Sequence, residues 1–218
     1  MKVRGLLLAN LLLAAAMAGF GAWVAARAAP GTELAVHWNA SGEADGFQPA
    51  LPALLWPAGL SLVVGLLMAA IPRLEPLQDR LDASAPVLRA TWIGMMGLMI
   101  YVQAMIAAPV LGWRIGPDLL LAGVGLLLVM VGNALPKSRP GFFVGIRTPW
   151  TLTDTDNWIA THRLGGKLMM AAGAAMVVAA FVPLAPQWRL WAMLAPVIAA
   201  SLVPVLYSWW LWHRRTAR

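Results

Sequence analysis

The sequence predicts an all-α polytopic membrane protein: a bundle of six transmembrane helices with a short outer loop cap and an inner interfacial amphipathic helix. Three observations carry this. Hydrophobic residues make up 61% of the 218 and charged residues only 11%, with a mean hydropathy of +0.73, against about 45–50% and about 25% in soluble domains. Apolar runs recur near the roughly 20 residues a helix needs to cross the hydrocarbon core. The 16 Lys and Arg residues fall almost wholly on alternate connections between those runs. Cysteine is absent, which excludes a disulfide frame, a thiolate nucleophile and a Cys-based metal site.

The expected spans lie near Gly5–Ala26, Leu51–Ile71, Ala90–Leu111, Pro117–Leu135, Leu168–Ala185 and Leu190–Trp212. The first follows Lys2 and Arg4 and has the flank of a signal peptide, but it outruns the roughly 7–15 residues of a signal core. It reads as a retained helix, with cleavage near Ala29 as the alternative. Connections 111–117 and 185–189 are tight, so the third and fourth helices, and the fifth and sixth, should form antiparallel hairpins. Connections 27–50, 72–89 and 136–167 are long enough to cap the bundle and too short to be domains. Residues 1–218 thus form a single membrane domain: 1–72 holds two spans with an outer loop module at 30–50, and 90–212 holds four spans with an inner loop at 136–167.

Charge sets the orientation. Lys2, Arg4, Arg73, Arg80, Arg89, Lys137, Arg139, Arg147, Arg163, Lys167, Arg214, Arg215 and Arg218 share one side, while Arg27, Arg114 and Arg189 share the other. The positive-inside rule places both termini and the 136–167 loop in the cytoplasm. The net charge of +7 is then a topology signal whose partner is anionic membrane lipid, with no direct nucleic-acid role. The spans carry Asn10, Thr91, Tyr101, Gln103 and Asn133 as their main polar residues. A bundle without acidic or basic residues argues against a charge-relay transporter, and Gln103 reads as an interhelical donor. Trp209, Trp210 and Trp212 before His213-Arg214-Arg215 read as an aromatic belt with a basic stop.

The outer loop runs His37-Trp38-Asn39-Ala40-Ser41-Gly42-Glu43-Ala44-Asp45-Gly46-Phe47. Val36 and Trp38 alternate with polar neighbours, which predicts a short extended piece, and Asn39 to Gly42 and Asp45-Gly46 are turn chemistry. His37, Glu43 and Asp45 are three candidate ligands for a divalent metal. The preferred reading is a structural cap, with no metal or other cofactor. In it Trp38 and Phe47 sit at the headgroups, and His37 and Asn39 tie the turn by hydrogen bonds.

The inner loop is denser in chemistry. Pro136, Pro140 and Pro149 punctuate it, and Gly141 and Gly145 leave it bendable, so 136–150 should be irregular. Thr153 and Asp156 have capping-box spacing, which starts a short amphipathic helix lying in the interface and leading into the fifth span. Trp158 and His162 should project from one face of it. Arg147 either pairs with Asp154 or Asp156 to lock the loop, or forms a cationic pocket with His162 and Arg163 beside Trp150 and Trp158. His162 with Asp154 or Asp156 is a candidate base and orienter, although no Ser or Cys nucleophile motif accompanies it.

Gly145-Ile146-Arg147-Thr148-Pro149-Trp150-Thr151-Leu152, followed by Trp158 and Thr161-His162-Arg163-Leu164-Gly165-Gly166, resembles the signature of the SdpI family of bacterial membrane immunity proteins. His37, Trp38, Asn39, Gly42, Glu43, Asp45 and Gly46 resemble a module found near the start of such proteins, Val-Pro-x-His-Trp/Phe-Asn-x-x-Gly-x-x-Asp-Gly. Ala35 stands where that module commonly has proline, and Gln48-Pro49 where it has a basic residue. The resemblance implies a protein that guards its own cell against a secreted peptide toxin and holds a cytoplasmic helix-turn-helix repressor at the membrane. On it, His37–Asp45 would meet the toxin, and Arg147–Lys167 would meet the soluble partner. Two other classes remain open on the residues alone: a membrane enzyme or small-molecule transporter using Arg147, Asp154 and His162, and a structural envelope-stress protein that needs no ligand.

Overall fold

The structure, a computed structural model, describes residues 3–39 and 42–216. Its helices are α1 (Arg4–Ala25), α2 (Ala50–Leu74), α3 (Gln78–Leu111), α4 (Asp118–Ala134), α5 (Pro149–Thr153), α6 (Thr155–Ala179) and α7 (Pro186–Thr216). Strands β1 (Glu33–Trp38) and β2 (Ala44–Pro49) pair antiparallel between α1 and α2, so the expected loop cap is a β-hairpin. Among the described residues, five segments are long and apolar enough to cross a membrane: Arg4–Ala25, Ala50–Leu74, Arg80–Leu111, Leu119–Lys137 and Leu190–Arg215. The protein is a helical membrane protein.

Three differences from the sequence expectation have physical causes. α3 begins at Gln78, so most of the expected 72–89 loop is helix. Buried Leu81, Ala85, Val87 and Leu88 give that polar stretch an apolar face, and Pro86 is accommodated within it. The separate interfacial helix is not formed. α6 runs unbroken through Gly165-Gly166, and Asn157, Trp158, Thr161 and His162 lie fully buried on it. Finally, the helix start uses other caps. Thr148 and Thr151 make a capping box on α5, and the Asp154 carboxylate accepts from the N–H groups of Asp156 and Asn157 at 2.9 and 3.1 Å.

The six long helices form two three-membered groups, α1–α2–α3 and α4–α6–α7, joined where α3 lies along α4, with short α5 against α6 and α7. In α1–α2–α3, buried amides replace charges as the glue between spans. Asn10 on α1 donates to the Ser61 carbonyl of α2 and accepts from the Trp92 indole of α3. Gln103 on α3 donates to the carbonyls of Met17 and Leu54, at 2.7 and 2.8 Å, as expected of an interhelical donor. In the second group α4 and α6 meet backbone to backbone. A Cβ on Gly125 would lie 2.6 Å from the Gly173 carbonyl oxygen, and one on Gly132 would lie 2.8 Å from that of Gly166. Each helix brings glycines seven residues apart to the same seam, the small-residue contact by which apolar helices approach in lipid. Gly165 and Gly166 are therefore packing residues, which is why they do not end the helix.

The hairpin sits over one end of the first group. Leu34 is buried with Val24, Leu54 and Ile106, and Trp38 packs against that cluster. Phe47 is exposed. The described parts of both termini lie at the opposite end, where Val3 packs with Ala69 and Trp92, and the Arg215 guanidinium pairs with the Asp154 carboxylate. Lys2 and Arg218, two of the charges used to set orientation, lie outside the described residues.

Candidate functional site

Two sites emerge, one at each end. At the hairpin end, the His37 Nδ1 and an Asp45 carboxylate oxygen lie 2.5 Å apart. Asn39 closes the turn, accepting from the Glu43 N–H at 3.0 Å and donating to its carboxylate at 3.1 Å. Gly42 has a φ of +83°, a conformation glycine adopts without a Cβ penalty. A Cβ on Gly46 would lie 2.9 Å from that of His37, so glycine lets the two strands close at the irregular register there. Ala40 and Ser41 of the expected turn are outside the described residues. The motif thus builds a hairpin. His37, Asp45 and Glu43 are spent on pairwise contacts, and among the described residues no group of three or more His, Cys, Asp or Glu could hold a metal ion.

Beneath this hairpin opens a groove of about 670 Å³, within the range of small-molecule sites. Its lip is His37, Trp38, Asn39 and Gly42. Its walls are Leu120, Leu121 and Val124 of α4, Ala179 at the end of α6 and Phe181 to Pro183 after it, and Leu190 and Met193 of α7. The hairpin, seated on the first helix group, and the helices of the second group both contribute, so the groove depends on their relative placement. The Asp45 carboxylate accepts from His37 Nδ1, which fixes the imidazole at the lip. Of the sequence candidates here, His37, Trp38, Asn39 and Gly42 line the groove, and Glu43 and Asp45 support them from behind.

At the other end the signature residues form a buried knot. Trp158 and His162, one turn apart on α6, stack with centroids 3.9 Å apart. The Trp158 indole N–H reaches the Ser138 carbonyl at 3.2 Å. His162 Nδ1–H donates to the Trp158 carbonyl at 2.7 Å, and its Nε2 accepts from the Ile146 N–H at 2.8 Å. A carbonyl only accepts and an amide N–H only donates, so these partners fix one neutral tautomer. Gly145, at φ +123°, lies flat on this pair. A Cβ there would be 2.5 Å from His162 Nε2 and 2.6 Å from a Trp158 ring carbon. Thr148 shares a hydrogen bond with Ser208 of α7 at 3.2 Å, and Asn157 donates to the Ser208 carbonyl at 2.8 Å while accepting from Thr161 at 3.0 Å. Pro149 starts α5, and Trp150 lies against Trp212 with centroids 5.9 Å apart.

Several expected pairings are replaced. Arg147 does not lock onto Asp154 or Asp156; its guanidinium donates to the Phe142 carbonyl, and Arg215 takes both acids. Burial raises the Asp154 carboxyl, but the Asn157 N–H, the Arg215 guanidinium and the Asp156 N–H outweigh it and hold the group below the usual carboxylate range. Arg163 is exposed while His162 is buried, so the cationic pocket of Arg147, His162 and Arg163 does not assemble. The base–orienter pair does not either, because both His162 nitrogens are committed elsewhere.

Several contributors were missed by sequence reasoning. Asn157, buried beside the chosen Trp158, is one. Ser208, deep in the last span, is another. Glu75, at the end of α2, is a third; it is buried and accepts from the N–H groups of Leu77, Phe142 and Phe143 at 3.0–3.1 Å. Ser84 of α3 joins it, accepting from the Arg139 N–H at 3.0 Å. An acid closing a span in a chain otherwise so poor in charge is the one local signal that marked Glu75 out.

Residues 137–208 match the SdpI/YfhL protein family. Over 88 residues the chain is 31% identical to the "Immunity protein SdpI" of Bacillus subtilis (strain 168), an alignment covering 40% of this chain and 42% of that protein. No solved structure matches the chain. The matched segment begins at the loop that carries Ser138 and ends at Ser208, the two anchors of the knot, and over it this chain is similar to that family, while spanning less than half the length of the relative it matches.

Proposed function

We propose that this protein is an immunity protein of the cytoplasmic membrane, protecting its cell against a secreted antimicrobial peptide that docks in the groove beneath the hairpin. The observation that carries the reading is the groove itself. Apolar walls suit one face of an amphipathic helix, and the oriented His37 and the Asn39 turn offer polar partners at its mouth. One wall is made by the end of α6 and the start of α7, within the segment that resembles a protein named for immunity. The charge distribution supports six crossings with the hairpin outside: Arg27, Arg114 and, in the first turn of α7, Arg189 lie at the hairpin end, and the other basic residues among those described flank the knot. α6, long enough at 25 residues, completes the six by shielding its polar first half inside the bundle.

Signalling is the second part of the proposal. Exposed Arg163 and Lys167 on α6, with Arg214 and Arg215 on α7, offer a basic face to a soluble helix-turn-helix repressor. Transmission requires that the toxin favour one arrangement of the two helix groups over another. A catalytic alternative is disfavoured by His162, whose ring has no nitrogen left to take a proton from substrate.

The test is survival of a toxin-sensitive bacterium challenged with an SDP-type peptide. Wild type should protect, whereas Leu121→Trp, which fills the groove, should not, at matched membrane levels. Equal protection by Leu121→Trp would remove the groove from the reading. No protection by wild type would reject immunity to that toxin class.

A further inference from the structure

We propose that the knot end carries a built site for one anionic phospholipid, with an acyl chain in the slot behind Phe143 and the headgroup phosphate on Arg139 and Arg147. The inference stands apart from the immunity reading and uses none of the groove residues. The slot, about 280 Å³, is walled by Ile71 of α2, Leu88 of α3, Val131 of α4, Met169 of α6 and the stretch Phe143–Ile146. Its Thr91 hydroxyl turns back to the Val87 carbonyl at 3.0 Å, so that wall asks for no polar partner. A helix about 10–12 Å across does not fit such a slot; an alkyl chain does.

The loop at its mouth is rigid and outward-facing. Glu75 pins the N–H groups of Phe142 and Phe143 at 3.0–3.1 Å, yet the two side chains stay 49% and 41% exposed. Two aromatics displayed from a fixed backbone form a wedge suited to the interfacial layer of a bilayer. Around it, Lys137, Arg139 and Arg147 are exposed, and residues 137–147 contain no acid. The Glu75 carboxylate that holds the loop is 3% exposed and turned inward on the loop amides. Arg147 donates to the Phe142 carbonyl, and Arg139 to the Ser138 carbonyl at 3.2 Å. A guanidinium has five N–H donors in a fork, so one carbonyl contact leaves donors for a phosphate. Apolar slot, aromatic lip and basic rim in that order match chain, glycerol region and headgroup of a phospholipid.

Native mass spectrometry of the full-length protein in detergent tests this, with dioleoylphosphatidylglycerol and dioleoylphosphatidylcholine supplied at equal concentration. Wild type should retain one phosphatidylglycerol with a preference of about fivefold or more, the effect of one basic residue near an anionic surface. Arg139→Gln/Arg147→Gln, both on exposed positions, should lose the preference with its thermal midpoint in detergent alone unchanged. Val131→Trp, which fills the slot, should lose retention of both lipids. Equal retention of the two lipids by wild type overturns the proposal. So does an unaltered preference in the double variant, or stabilisation by inorganic phosphate equal to that by the lipid. A double variant that keeps its lipid and loses only a soluble cytoplasmic partner would assign the loop to protein docking instead.

Discussion

Gly145 tolerates no substitution that adds a Cβ, because a positive φ and two aromatic rings bear on the same atom. Gly145→Ala should cost roughly 2–5 kcal/mol from backbone strain plus overpacking, read as a lower thermal midpoint in detergent. Glu75 is the complementary case, where removal leaves donors unmet. Glu75→Gln keeps one acceptor and loses the charge-assisted bonds, for a cost of roughly 1.5–3 kcal/mol; a midpoint equal to wild type would show that those amides find other partners. The Asp154 carboxyl is held below its ordinary range by Asn157, Arg215 and Asp156, so its contribution is full above the ordinary carboxylate value. It is lost as pH falls through the lowered folded value. Acid should therefore free the end of α7 from the α5–α6 junction. Hydrogen exchange in residues 209–216 should rise there in wild type, and already be high at neutral pH in Asp154→Asn.

Helices expose which parts of the chain were legible. Hydropathy alone located α1, α2, α4, α7 and the apolar part of α3, because lipid demands long runs without charge. It missed residues 78–89 of α3, where the apolar face is interrupted by Arg80, Asp82 and Pro86 and the helix is held by tertiary burial. It starts the fifth span at Leu168, after a separate short helix, since a glycine pair reads equally as a C-cap and as a packing seam until the partner helix is known. That Trp158 and His162 share a face followed from helical spacing, but Arg215, 61 residues beyond Asp154, could not be read from local pattern. At this scale the seam makes its own prediction. Gly173→Leu should destabilise by roughly 2–4 kcal/mol through overpacking against α4, read as a lower midpoint. The same change at Gly19, which has open space around it, should be nearly neutral.

On the molecular scale, the absence of native cysteine gives a clean background for mapping sidedness. Glu43→Cys should react with an impermeant maleimide in intact cells, and Lys137→Cys and Arg163→Cys only after permeabilisation; the reverse pattern would invert the molecule. The division into two helix groups, with the groove at one end and the Glu75 and Ser84 contacts at the other, was not visible in the sequence because it rests on contacts between distant elements. Those contacts bear on modularity. The stretch that matches the family covers residues 137–208, yet its loop is clasped by Glu75 of α2 and Ser84 of α3, and its longest helix lies against glycines of α4. The unit that is shared between proteins is therefore smaller than the unit that folds. Grafted alone into another scaffold, the shared stretch would arrive without a clasp and with half a seam, and would have to borrow both from its host.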